Sequence, residues 1–190
     1  MAEVEKWDYW EEGEDGYDYC QSIFELSRHF KPQLGLEIGV RFGKSALATM
    51  YGSPGMRLIG VDPNPEFPVQ EFMREKVGDK FVFINAPSPR ALERFDEEMF
   101  DWIYIDGLHD YQGVMIDFWA SWPLLKPGGV MVFDDYDEDV DYGTGVKDML
   151  HDQTESITGK PFKYLTMEDL GLHPSPHKDA ILIKEEHVEA

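Results

Sequence analysis

The sequence predicts an α/β protein built on a doubly wound, mostly parallel sheet. Short apolar runs alternate with helical patterns from residue 34 onward, which is the order of repeated β-α units. Two of those runs end in acids: Trp102-Ile103-Tyr104-Ile105-Asp106 and Gly129-Val130-Met131-Val132-Phe133-Asp134-Asp135. Near-continuous apolar strands mark parallel sheets buried on both faces, and such sheets bind ligands beyond the carboxyl ends of their strands.

The elements follow in order. Residues 1–33 read as an N-terminal arm and a helix, and residues 34–190 as the remainder of a single domain. The stretch 7–19 mixes aromatics with acids and suits an arm, a lid, a contact with a partner subunit or ordinary packing. A helix is expected over 22–30, with Ile23, Phe24, Leu26 and Phe30 on its apolar side and Pro32 ending it. Strands are expected at 34–40, 56–62, 81–86, 101–106 and 130–134, with helices at 44–51, 69–77, 89–95 and 111–125 between them. In the last of these, Val114, Phe118 and Trp122 recur at helical spacing. The tail suggests a helix over 145–151 and two strands, 162–167 and 180–184. The loop between those two is too short and broken for a crossover helix, so they should form an antiparallel pair at a sheet edge. The total is seven strands.

Composition narrows the partners. The 190 residues suit one domain with a substantial core, and 42% hydrophobic content excludes disorder. A formal net charge of -21 argues against nucleic acid and against anionic membranes, since both need clustered Lys and Arg. Cys20 is the only cysteine, so neither an internal disulfide nor a thiolate zinc site is available. The first residues lack a signal-peptide pattern and no apolar run spans a bilayer, so a cytoplasmic location is expected. Association with a second copy of the chain stays open.

Four motifs carry chemistry. In Gly35-Leu36-Glu37-Ile38-Gly39-Val40-Arg41-Phe42-Gly43-Lys44-Ser45 a strand runs through a glycine-bearing turn into a helix. Gly39 and Gly43 let a ligand approach the backbone, and the helix N-terminus favours an anion such as a carboxylate. The spacing is neither the dinucleotide G-x-G-x-x-G nor the P-loop, so a plain tight turn is the alternative. Asp62 ends the second strand, where nucleoside-binding sheets accept hydrogen bonds from ribose hydroxyls; a turn acid is the alternative. Asp106-Gly107-Leu108-His109 ends the fourth strand and joins a carboxylate to a candidate base, although Asp-Gly is also a common turn. Asp134 and Asp135 end the fifth, and adjacent carboxylates repel unless a cation sits between them.

Together these elements resemble the class I S-adenosylmethionine-dependent methyltransferases. Glu37-x-Gly39-x-x-x-Gly43-x-Ser45 is similar to their cofactor motif, Asp62 sits where that family holds the ribose, and Leu124-Leu125-Lys126-Pro127-Gly128-Gly129 looks like their turn into the fifth strand. The resemblance covers residues 34–136. It implies a Rossmann-like sheet with an antiparallel finish and S-adenosylmethionine as cofactor, held by Glu37, Gly39, Gly43, Ser45, Asp62 and Asp106.

A narrower resemblance, carried by Ile105-Asp106-Gly107-Leu108-His109-Asp110-Tyr111 and Phe133-Asp134-Asp135-Tyr136, is to metal-dependent O-methyltransferases of the macrocin/mycinamicin sugar type. Cephalosporin-hydroxylase-like proteins share part of it. The resemblance implies that Asp106, Asp134 and Asp135 ligate Mg2+, and that His109 is the base where catechol-type relatives place a lysine. The implied acceptor is a small-molecule hydroxyl, on a sugar or glycosylated natural product first and a catechol-like phenol second. A noncatalytic S-adenosylmethionine-binding or interaction protein with the same fold is the alternative. A Rossmann oxidoreductase is disfavoured by the glycine spacing.

Overall fold

The computed structural model describes residues 16–65, 68–136, 145–159, 165, 167–172 and 179–185. Its strands are β1 (Leu34–Ile38), β2 (Arg57–Val61), β3 (Phe81–Ile84), β4 (Phe100–Ile105), β5 (Leu125–Phe133) and β6 (Ala180–Ile183). Its helices are α1 (Gly16–Phe30), α2 (Lys44–Gly52), α3 (Val69–Val77), α4 (Ser88–Leu92), α5 (Tyr111–Ser121) and α6 (Gly145–Thr158). The strands form one sheet in the order β3-β2-β1-β4-β5-β6. All neighbours are parallel except β5 and β6, which are antiparallel. From β1 the chain winds outward through β2 to β3, then returns to the other side of β1 with β4. That reversal creates the crevice in which such sheets bind ligands.

Among the described residues the sheet has six strands, not the seven expected. The strand expected over 162–167 lies outside the described residues except for Leu165 and Met167, and Met167 opens a turn. β6 pairs antiparallel with β5. Several boundaries moved, among them the end of α6, which runs to Thr158 rather than 151, and the end of α5, at Ser121 rather than 125. Helix α1 begins at Gly16, inside the stretch read as an arm. Strand β5 begins at Leu125, because Leu125 already pairs with Phe100 of β4 and, after a register shift with Gly128 at φ 77°, the Gly128 amide bonds the Lys184 carbonyl.

The alternation of side chains along each strand divides the core into two layers. Trp102, Tyr104, Val130 and Val132 pack with Cys20, Ile23 and Leu26 of α1, Leu47 of α2 and Met73 of α3. Leu36, Ile38, Ile103, Ile105, Met131 and Phe133 pack with Leu92 of α4, Phe118 of α5 and Met149 of α6. Each such large side chain, taken fully out of water, stabilises the fold by about 1.5–3 kcal/mol. Lys184 closes the antiparallel edge, its Nζ donating to the carbonyls of Leu125 and Trp122 at 2.6 and 3.3 Å. No helix among the described residues is long and apolar enough to cross a membrane.

Candidate active site

Strand register builds the site. Val61, Ile38, Ile105, Phe133 and Ala180 stand side by side across β2, β1, β4, β5 and β6. One residue beyond them, on the carboxyl side of the parallel strands, come Asp62, Gly39, Asp106 and Asp134. Ladder hydrogen bonds continue through this row: Gly39 N to Val61 O, Asp106 N to Ile38 O and Asp134 N to Ile105 O, at 2.8–3.0 Å. The row is therefore held as firmly as the sheet itself.

Gly39 takes φ 88°, and a Cβ there would overlap the Asp106 carbonyl oxygen. Only glycine allows β1 and β4 to end this close together. The turn that follows is braced by Asp62. Its Oδ2 accepts from the amides of Val40 and Arg41 at 3.0 and 2.8 Å, and its Oδ1 from that of Asn64 at 2.7 Å. Gly43, at φ 78°, then caps α2.

Glu37 is fully buried at the end of β1. Ser45 Oγ donates to its Oε1 at 2.5 Å, while Oε2 has no hydrogen-bond partner among the described residues. Burial holds this carboxyl well above the ordinary carboxylate range, the Ser45 bond pulls it down, and the charges of Asp106 and Asp134 push it up.

His109 lies between two carboxylates. Its Nε2 is 3.2 Å from Asp106 Oδ1 and its Nδ1 is 2.5 Å from Asp135 Oδ2. Asp135 reaches it from a left-handed backbone, φ 53°. Burial opposes the imidazolium, but the hydrogen bonds and charges of Asp106 and Asp135 outweigh it and raise the pKa to about 10. Asp106, His109 and Asp134 each offer a ligand atom, all within 4.8 Å of one another. Carboxylate oxygens with one imidazole suit a hard or borderline divalent cation. The nine residues expected from the sequence thus fall into two adjoining groups: Glu37, Gly39, Gly43, Ser45 and Asp62 about the first turn, and Asp106, His109, Asp134 and Asp135 beside it.

A cavity of about 440 Å³ opens beside the row, lined by Gly39, Arg41, Asp62 and Asp106 together with Pro87, Leu108 and Ile116. That volume suits a small-molecule ligand.

Residues 36–136 match the model of a family described as a methyltransferase domain. The chain belongs to that family. Solved methyltransferases share its fold. An S-adenosylhomocysteine-bound methyltransferase of Podospora anserina superposes with a TM-score of 0.66, at 21% identity over 88% of this chain and 78% of the other. An O-methyltransferase of Bacillus cereus in complex with S-adenosylhomocysteine gives 0.62, at 19% identity over 88% and 80%. An O-methyltransferase of Streptomyces achromogenes, involved in tomaymycin synthesis and bound to S-adenosylmethionine, gives 0.61, at 18% over 87% and 79%. An uncharacterized protein of Acanthamoeba polyphaga mimivirus is 28% identical over 152 residues, covering 74% of this chain and 67% of that one. By family the protein is a methyltransferase, and it shares the fold of these S-adenosylmethionine- and S-adenosylhomocysteine-bound enzymes.

Two features of this methyltransferase's site were not singled out from sequence. Asp117 of α5 is buried in the cavity wall and accepts from Ser88 Oγ. Burial raises its pKa to about 6, against the Ser88 bond. Gly145, the first residue of α6, packs on the backbone of residues 109–111. Asp117 did leave a signal, an acid within the apolar periodicity of α5. Gly145 left none, because its contact is between distant segments.

Proposed function

We propose that this methyltransferase transfers the methyl group of S-adenosylmethionine to a hydroxyl oxygen of a small molecule, with Mg2+ as a second cofactor. A sugar or glycosylated natural product of the macrocin type is the first acceptor class, and a catechol-like phenol the second. The observation that carries this reading is the meeting of Asp106, His109, Asp134 and Asp135 next to the glycine turn. The O-methyltransferase neighbours from Bacillus cereus and Streptomyces achromogenes support the oxygen acceptor.

The residues fit both ligands. Glu37 Oε2 is a buried acceptor with no hydrogen-bond partner among the described residues, and the cavity at the turn has room for a nucleoside. Glu37, Ser45 and the turn of Gly39 and Gly43 would hold the amino-acid end of the cofactor, with the α2 N-terminus favouring its carboxylate. Asp62 would face the ribose, although its oxygens already brace the turn. Asp106, Asp134 and Asp135 would hold the cation. When bound, S-adenosylmethionine supplies an electrophilic methyl carbon and a divalent cation lowers the pKa of a nearby hydroxyl. The cofactor would supply the methyl carbon and, in its thioether, the leaving group. His109 would accept the hydroxyl proton once a cation relieves Asp106 and Asp135 of their hold on its own. The strand-end row supplies the fixed orientation such an in-line reaction needs.

Isothermal titration tests this reading with S-adenosylmethionine and S-adenosylhomocysteine, each with and without Mg2+. Binding of both, with a separate Mg2+ signal abolished in Asp134→Asn/Asp135→Asn, is expected. Cofactor binding without a Mg2+ signal removes the metal from the mechanism. Absence of cofactor binding overturns the reading.

A further inference from the structure

The row of strand ends continues onto the edge strand. β6 runs antiparallel to β5 with Ala180 opposite Phe133, so the residue before Ala180 lies beside the residue after Phe133. Those two residues are Asp179 and Asp134. Side chains alternate along a strand, and their neighbours fix the face each acid takes. Val132 of β5 and Ile181 of β6 pack in the layer covered by α1. Asp134 and Asp179 stand two residues from them, on that same face.

Helix α1 meets them there. Ser22 Oγ donates to Asp179 Oδ2 at 2.7 Å, across 157 residues of chain. Cys20 of α1 lies in the field of the other acids of the row. Burial first, against Lys44 and with the charges of Glu37, Asp106 and Asp134, pushes its thiol up to about 12. Asp134 is 5%, Asp179 6% and Ser22 1% exposed. Opposed side chains of an antiparallel pair begin about 5 Å apart, and like charges so placed repel one another. A divalent cation at Asp134 would offset that repulsion, because both carboxylates act on the same positive charge. Asp106, His109 and Asp134 can meet one ion together, and Asp179 is not of that group. Its place is behind Asp134, where an outer carboxylate supports a ligand and raises affinity.

We propose that Asp179, held by Ser22, is a positioning residue of the cation site: its carboxylate, opposite Asp134 on the edge strand, strengthens binding of a divalent cation at Asp106, His109 and Asp134 without ligating it. The proposal rests on the cation reading of that site, and it adds α1 and β6 to the elements that build it.

A role confined to fastening α1 to β6 gives a different result in Asp179→Asn, whose amide oxygen still accepts from Ser22 while the charge is gone. Calorimetric titration of Mg2+ in excess S-adenosylhomocysteine should show Asp179→Asn binding Mg2+ at least ~10-fold more weakly than the wild type, the scale on which outer carboxylates act. Its affinity for S-adenosylhomocysteine should stay within about 3-fold. Ser22→Ala keeps the charge but releases the carboxylate, and should weaken Mg2+ about 3-fold. Melting curves show which variants fold, and Ser22→Ala carries the test if Asp179→Asn does not. Wild-type Mg2+ affinity in the folded variant overturns the role of Asp179 while the cation site stands. An equal loss of Mg2+ and S-adenosylhomocysteine binding does the same, because it marks a general disruption. Failure of the wild type to bind Mg2+ overturns both.

Discussion

At the scale of single residues, His109 shows why a base needs more than position. Burial alone would keep its imidazole neutral and able to accept a proton. Asp106 and Asp135 reverse this and raise the pKa to about 10, so the side chain is an imidazolium at neutral pH. It can act as a base only when positive charge elsewhere relieves those two carboxylates. Imidazole NMR of the cation-free protein should therefore show Asp135→Asn lowering the His109 pKa by at least ~1 unit, since one charge and one hydrogen bond are lost together. An unmoved pKa would refute the assignment of the shift to Asp135. Asp117 links titration to folding instead. Its pKa rises from 3.8 to about 6, so the folded chain keeps a proton that the unfolded chain gives up in that range. The stabilisation is complete below 3.8 and disappears as pH rises through about 6. Urea denaturation should show Asp117→Asn gaining on the wild type by roughly 2–3 kcal/mol between pH 4 and pH 8. An equal difference at both pH values would mean that burial is not what shifts Asp117.

At the scale of elements, α6 ties together two halves of the site. A Cβ on Gly145 would overlap the His109 carbonyl oxygen and stand 2.6 Å from the Tyr111 amide nitrogen. Farther along, Gln153 donates to the Tyr111 hydroxyl at 2.9 Å, and His151 meets the hydroxyl of Tyr136 at 3.1 Å. Helix α6 thus touches the loop carrying His109 and the residue after Asp135. Gly145→Ala should lower kcat at least ~10-fold, with cofactor affinity changed by less than about 3-fold, because reacting groups tolerate little displacement. Equal loss of both in steady-state kinetics would show a general disruption. Contacts of this kind explain what could be read in the sequence. Apolar strands ending in Asp106 and Asp134 were visible because a buried parallel strand has its own pattern. Gly39 was legible as a place of close approach to a ligand, but the backbone it admits is that of Asp106, a contact between distant segments. The early start of β5 was not legible, since Lys126-Pro127-Gly128-Gly129 has turn chemistry and is held in the sheet by the pairing of Leu125 with Phe100 and of Gly128 with Lys184. The ion-paired state of His109 was hidden too, because Asp135 reaches it only through a left-handed backbone.

At the scale of the whole molecule, charge and register set the terms. A net charge of -21 on 190 residues makes the folded chain repel itself. Raising salt to ~0.5 M should lift the Tm by about 3 °C or more, since screening relieves repulsion among exposed charges. A Tm that falls with salt would mean that attractive pairs outweigh the excess. The aligned strand ends constrain descent as well as chemistry. A deletion of one residue inside β4 or β5 would turn Asp106 or Asp134 to the opposite face, because side chains alternate with period two. The connections beyond the row carry no such restriction. Relatives of this chain should therefore vary by insertions and deletions after the strand ends while strand lengths stay fixed, so acceptors can change over evolutionary time without disturbing the row.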